Sequence, residues 1–143
     1  MTKNAPDHHD AELVLRIYDL RREPVMRESR DAVLREFWPR NEQEALAILA
    51  PEHPLNRAWR QTTTYWEMVY GMARHGIVHT DFLLESNGEG LFLFARVEPW
   101  LAAIRAATSP RTLRNAEWIA GSGDLARSIL ATFRARIAKK LGR

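Results

Sequence analysis

LNRAWRQTTTYWEMVYGMARHG, residues 55–76, is the stretch on which the fold turns. Set at about 100° per residue, Met68, Met72, Tyr65, Val69, Ala73, Trp66, Trp59 and Tyr70 fill an arc of roughly 200°, twice the ~100° stripe of an ordinary surface helix. Thr63, Arg74, Glu67, Arg60, Gly71, Thr64 and His75 hold the other side. A helix this apolar needs cover on at least two sides, so residues 55–76 are expected at the centre of an all-α bundle. Gly76 suits a left-handed cap, with Ile77 folding back onto the last turn.

The flanking sequence supplies the neighbours. Leu13, Ile17 and Leu20 form one stripe, with Val14 and Tyr18 beside it, and Pro24 ends that helix near residues 22–23. A second helix is expected over residues 24–37, with Met26, Val33, Leu34 and Phe37 inward. Its ladder of alternating charge, Glu23, Arg27, Asp31 and Arg35, reads as a solvated face. Asn41 with Glu44 three residues on caps a short third helix, which Pro51 stops. Thr80 to Ser86 gives another short helix, and Asn87-Gly88 a turn. Residues 91–108 suit a helix kinked at Pro99. LFLFARV also has strand character, but nothing elsewhere in the chain makes a convincing partner strand. Ser109-Pro110 is expected to open a helix through Ile119, and GSGD (121–124) to separate it from a last helix, 124–141. The organisation is a polar, disordered lead-in over 1–9, then a single helical domain over 10–143, about seven helices in all.

Composition fits that domain. Apolar residues are 45% and charged residues 27% of 143, enough to bury a core without staples. Cysteine is absent, which removes disulfides, thiolate nucleophiles and cysteine-based metal sites. No apolar run nears the ~20 residues of a membrane span, and the N-terminus lacks a signal-peptide core. The expectation is a cytoplasmic protein that does not enter membranes. Charge is uneven. Residues 1–60 carry 10 basic and 11 acidic side chains, whereas residues 101–143 carry 9 and 2. The C-terminal third is therefore the candidate surface for a polyanion.

Four constellations bear on function. His75, His79 and Asp81 offer metal-ligand chemistry, but a helix-breaking glycine lies between the histidines, so no metal is assigned. Arg60, Glu67 and Arg74 are spaced by sevens. Glu67 would serve as acid or base if a cleft opened there, and as an ion-pair partner if not. The second reading is preferred because no catalytic partner stands beside it. Thr62-Thr63-Thr64 resembles neither a nucleophile elbow nor a phosphate loop. Trp38, Trp59, Trp66, Trp100 and Trp118 are read chiefly as fillers. Trp66 and Trp100 are placed in the core by helical phase, Trp38 and Trp118 at an oligomer interface. The C-terminal helix pair superficially matches a helix-turn-helix. However, Asp124, Arg127 and Ser128 stand where base-reading residues belong, and the cations gather at the far end. Direct sequence reading of DNA is disfavoured.

Two segments, LRIYDLRREPVMRESR (15–30) with EFWP (36–39), and residues 64–105, together resemble an uncharacterised bacterial all-helical domain-of-unknown-function family over about residues 11–106. The resemblance implies a helical fold and no established chemistry, so it transfers no site residue.

The reading is a non-enzymatic helical interaction module, homo-oligomeric, with helices 10–22, 24–37 and 91–108 around the central one. No catalytic residue, cofactor or metal is assigned. One alternative is a small-molecule pocket near Trp66, Glu67, Tyr70 and Met72, in a sensor or an enzyme. Another is nucleic acid or an acidic partner on the basic helix 124–141.

Overall fold

A computed structural model of the chain describes residues 3–143. Nine α-helices occur among them: α1 (His8–Arg22), α2 (Pro24–Glu36), α3 (Glu42–Ala47), α4 (Asn56–Arg74), α5 (Thr80–Ser86), α6 (Glu89–Val97), α7 (Leu101–Ala107), α8 (Arg114–Ala120) and α9 (Asp124–Lys140). A single 3-10 turn, Glu98–Trp100, joins α6 to α7 where Pro99 breaks the ladder; counted as one kinked element, these leave eight helical units. LFLFARV is helical, and no strand occurs among the described residues. Nor is any helix among them long and apolar enough to cross a membrane.

Local chemistry sets most boundaries. Glu23 ends α1, and its carboxylate accepts from the Val25 and Met26 N–H groups, opening α2 with Pro24 in its first turn. Asn41 accepts from the Glu44 N–H to start α3. Gly76 takes φ 74°, with Ile77 N–H donating to the Met72 carbonyl and Gly76 N–H to Ala73, the reversed-chain cap expected there. On the α2 surface Asp31 and Arg35 pair at 3.2 Å in the open, as a solvated face would.

Helix α4 is the hub. Trp59, Thr62, Tyr65, Trp66, Val69, Tyr70, Gly71 and Ala73 are all buried. Its buried face is as wide as the sequence implied, but it is turned. Met68, at one edge of the expected apolar arc, is 52% exposed, while Gly71 from the polar arc is buried. The cause is α8, which packs on the Gly71 side; of the helices expected as cover, 24–37 packs most extensively on α4, 91–108 adds a smaller contact through α6, and 10–22 contributes little. A β-carbon on Gly71 would lie 2.8 Å from Asn115 Nδ2. Helix α6 crosses α4 even more closely: a β-carbon on Gly90 would lie 2.6 Å from the Tyr70 ring.

Other expectations shift. The lead-in was placed over 1–9; residues 1 and 2 lie outside the described residues, and α1 begins at His8, capped by Asp7. Asp10 is buried there, accepting from the N–H groups of Asp7 and His79 at 2.8 Å each and from Lys3 Nζ at 3.0 Å. Leu20, assigned to the inward stripe of α1, is exposed, as are Leu15 and Tyr18; Ile17 carries that stripe. Trp100 is only half-buried, because the turn at Pro99 resets the helical phase. Helix α8 starts at Arg114 rather than at Pro110: residues 109–113 form turns, ending on Leu113 in the left-handed region at φ 59°.

Candidate functional site

The late start of α8 is explained by Glu67. The α8 N-terminus has no side-chain cap of its own. Glu67 on α4 supplies one from across the fold, Oε1 accepting from Asn115 N–H at 3.0 Å and Oε2 from Ala116 N–H at 2.8 Å. A carboxylate at a helix N-terminus satisfies two orphan donors and meets the positive end of the dipole. Asn115 returns the contact, its Nδ2 donating to the Glu67 carbonyl at 3.0 Å, and Arg74 reaches Asn115 Oδ1 at 3.4 Å. Arg60 is exposed and takes no part. Burial pushes the Glu67 carboxyl above the ordinary range. The two N–H bonds and the nearby Arg105 and Arg74 charges pull it back only partway. A cleft of about 380 Å³ does lie beside it, lined by Thr63, Thr64, Arg111, Thr112 and Leu113. Thr63 and Thr64, however, turn their hydroxyls back to the carbonyls of Trp59 and Arg60. The Glu67 carboxylate is engaged in architecture.

Trp66 and Tyr70 are buried and do not line the cleft beside Glu67, so the expected grouping of Trp66, Glu67, Tyr70 and Met72 around one pocket is not seen there. Tyr70 is fully buried, its hydroxyl donating to the Asn87 carbonyl at 2.7 Å and accepting from Leu91 N–H at 3.2 Å. Burial drives its phenol well above the ordinary tyrosine range. The gap beside Trp66 and Glu67 is about 10 Å³, at most one water. Close packing of α4, α6 and α8 closes it. Trp66 still has a polar duty: its indole donates to Glu89 Oε2 at 3.1 Å, and Arg30 holds both Glu89 oxygens at 2.6 and 2.7 Å.

The histidines separate. His79 caps α5, its Nδ1 accepting from Phe82 N–H at 3.0 Å, while His75 and Asp81 are exposed. Among the described residues no group of three or more His, Cys, Asp or Glu could hold a metal ion.

What opens instead is a cleft of about 540 Å³ between the end of α2, the α5–α6 junction and α9. Apolar and aromatic walls come from Leu34, Trp38, Phe92, Ile129 and Phe133; Arg96 and Arg136 bring positive charge. Trp38 and Phe92 meet edge to face at 5.8 Å, and Phe92 and Phe133 lie 4.7 Å apart.

Arg96 interrupts the apolar run LFLFARV, and helical periodicity alone gives it no role. It is 2% exposed, on the buried face of α6. Its Nη1 donates to the carbonyls of Val33 at 3.1 Å and Phe37 at 2.7 Å, its Nη2 to Leu34 at 3.0 Å. Those are the terminal carbonyls of α2, so the cation sits at the negative end of that dipole. The guanidinium also stacks 3.7 Å from the centre of the Trp38 ring and 4.5 Å from that of Phe92. Burial pulls the group down to about 10, against a raising influence from Glu89. A signal did exist in the sequence: an arginine inside an apolar helical run requires buried acceptors.

Helix α9 packs on the domain through its apolar stripe while its basic side chains stay exposed, some of them already engaged. Arg134 grips Glu98 through two bonds of 2.6 and 2.9 Å, Arg127 pairs with Asp124, and Lys140 Nζ lies 5.4 Å from the Trp38 ring. Ala126, Leu130 and Ile137 bury the inner stripe of α9, mainly against α6.

Fold and cleft together define a small all-α domain with a charged, aromatic-lined groove. The pattern of one family, Domain of unknown function (DUF4760), matches residues 6–122, and the chain belongs to that family. The match spans α1 to α8 and reaches beyond the 11–106 of the resemblance; α9, one wall of the cleft, lies outside it. No curated protein and no solved structure matches the chain.

Proposed function

We propose that the domain is a non-enzymatic helical binding module, acting in the cytoplasm, whose working surface is the cleft between α2, α6 and α9. One observation carries this: a buried guanidinium on the wall of a groove whose volume, about 540 Å³, lies in the ordinary range of ligand sites. Glu67, the strongest catalytic candidate in the sequence, is bound up in capping α8, which supports a binding rather than a catalytic reading. The test is a fragment screen by NMR on the isotopically labelled protein. Shifts are expected to converge on the Trp38 indole, Phe92, Ile129 and Phe133. Hits that cluster elsewhere, or leave those four silent, refute it.

A second reading, assembly into homo-oligomers or docking of a protein partner, is favoured by the face of α1, where Leu15 is 66% and Tyr18 48% exposed. Exposed apolar side chains on adjacent turns suit a helix-face contact. Sedimentation across micromolar concentrations tests it. A concentration-dependent dimer abolished by Leu15→Glu supports the reading, and a monomer throughout rejects it. Nucleic acid or an acidic partner on α9 is the weaker proposal, because Arg127 and Arg134 already hold carboxylates.

A further inference from the structure

We propose that the cleft is a seat for an amphipathic carboxylate, its head on Arg96 and Arg136 and its apolar body along Trp38, Phe92 and Phe133. The proposal rests on the cleft being the working surface and adds the chemistry of the occupant.

The donor count of Arg96 points to an anion. A guanidinium has five N–H donors. Three bonds go to the carbonyls of Val33, Leu34 and Phe37. Nε is buried with no partner among the described residues, and one N–H of Nη2 is left as well. Nε and Nη2 are the nitrogens through which this protein twice grips a carboxylate: Arg30 holds Glu89 that way, and Arg134 holds Glu98. Such two-point contacts match the spacing of carboxylate oxygens.

No carboxylate among the described residues pairs with Arg96. Glu89, whose charge it feels, is taken by Arg30 and Trp66. Carbonyl dipoles and two aromatic faces stabilise the cation only in part, and burying an ion that is incompletely paired is expensive. Arg136, exposed on α9 with its guanidinium 5.8 Å from the Phe133 ring centre, adds a second cation at the rim. Lys140 beside Trp38 adds a third near the groove. Against these, Glu85 is the lining acid without an arginine partner among the described residues. The surroundings therefore favour a negative head. The rest of the wall, Leu34, Ile129 and the three rings, favours a hydrocarbon or aromatic body. A groove open along one side suits an elongated amphiphile.

The test uses the full chain and three probes of equal chain length: decanoate, decanol and decyltrimethylammonium. The readout is the Arg96 Nε–H and Trp38 indole signals in NMR titrations. Decanoate is expected to shift both signals saturably, about tenfold or more tightly than decanol, as charge-assisted pairing implies. Decyltrimethylammonium should bind more weakly still. Arg136→Glu, a surface change that spares the core, should weaken decanoate severalfold and leave decanol unaltered. Equal affinity for decanoate and decanol would overturn the carboxylate seat while leaving a binding cleft intact. Shifts by neutral fragments but by none of the three probes would also overturn it, and silence of the cleft toward fragments and probes alike would remove the underlying reading as well.

Discussion

Two helix termini, the start of α8 and the end of α2, use one device to different completion. At the N-terminus of α8, Glu67 arrives from α4 and each carboxylate oxygen accepts a backbone N–H. At the C-terminus of α2, Arg96 arrives from α6 and donates to three carbonyls, with two donors left over. Both contacts complement a helix dipole from another helix, and both bury charge. The first has Asn115 bonding back to its own backbone carrier. The second adjoins a groove. A borrowed cap whose bonds are all made contributes to rigidity, and one with donors to spare keeps capacity for something else.

That contrast breaks most readily at Glu67. Glu67→Ala strands the N–H groups of Asn115 and Ala116 and is expected to cost about 2–4 kcal/mol, read as a lowered urea midpoint at unchanged slope. Arg96→Met keeps much of the stem packing and should cost less, about 1–2 kcal/mol, since it also removes a buried, incompletely paired cation whose desolvation offsets the lost bonds. A larger loss for Arg96→Met than for Glu67→Ala would reverse the ranking of a saturated and an unsaturated cap.

The smallest effect concerns acidity. Burial pushes the Asp10 carboxyl up, but bonds from the N–H groups of Asp7 and His79 and from Lys3 outweigh it and hold it at about 2. A lowered native pKa means that this stabilisation is present above the ordinary carboxylate range and fades as pH falls from about 4 toward about 2. Glu67, raised in the native fold, acts the other way: its ionisation weighs against folding as pH climbs through the carboxylate range. Urea midpoints across acid pH should thus flatten in Asp10→Asn and steepen in Glu67→Gln. The same slope in both variants would show that the two carboxyls are not opposed.

Much of the helix order was written locally. Pro24, Asn41, Gly76 and Asn87-Gly88 act within a few residues, and the chain breaks or caps where they stand. The start of α8 was not legible from Ser109-Pro110, because its cap lies 48 residues away on α4. The turned face of α4 was hidden for a related reason. Gly71 looks polar by periodicity, yet its missing side chain is what admits Asn115, a neighbour that no helical wheel contains. The groove was legible least. Its walls come from four helices, and its charge comes from an arginine that an apolar pattern reads as an interruption.

The Gly90–Tyr70 crossing has a consequence for altering this protein. Exchanging glycine for alanine inside a helix ordinarily gains about 1 kcal/mol in propensity. At position 90 the added methyl would strike a ring that cannot swing aside, since its hydroxyl is tied to Asn87 and Leu91. Propensity and space oppose each other there, and space decides. A saturation library at this codon should return the wild-type residue almost alone, so a stabilisation campaign guided by helix scales would fail first at the point where it expected an easy gain.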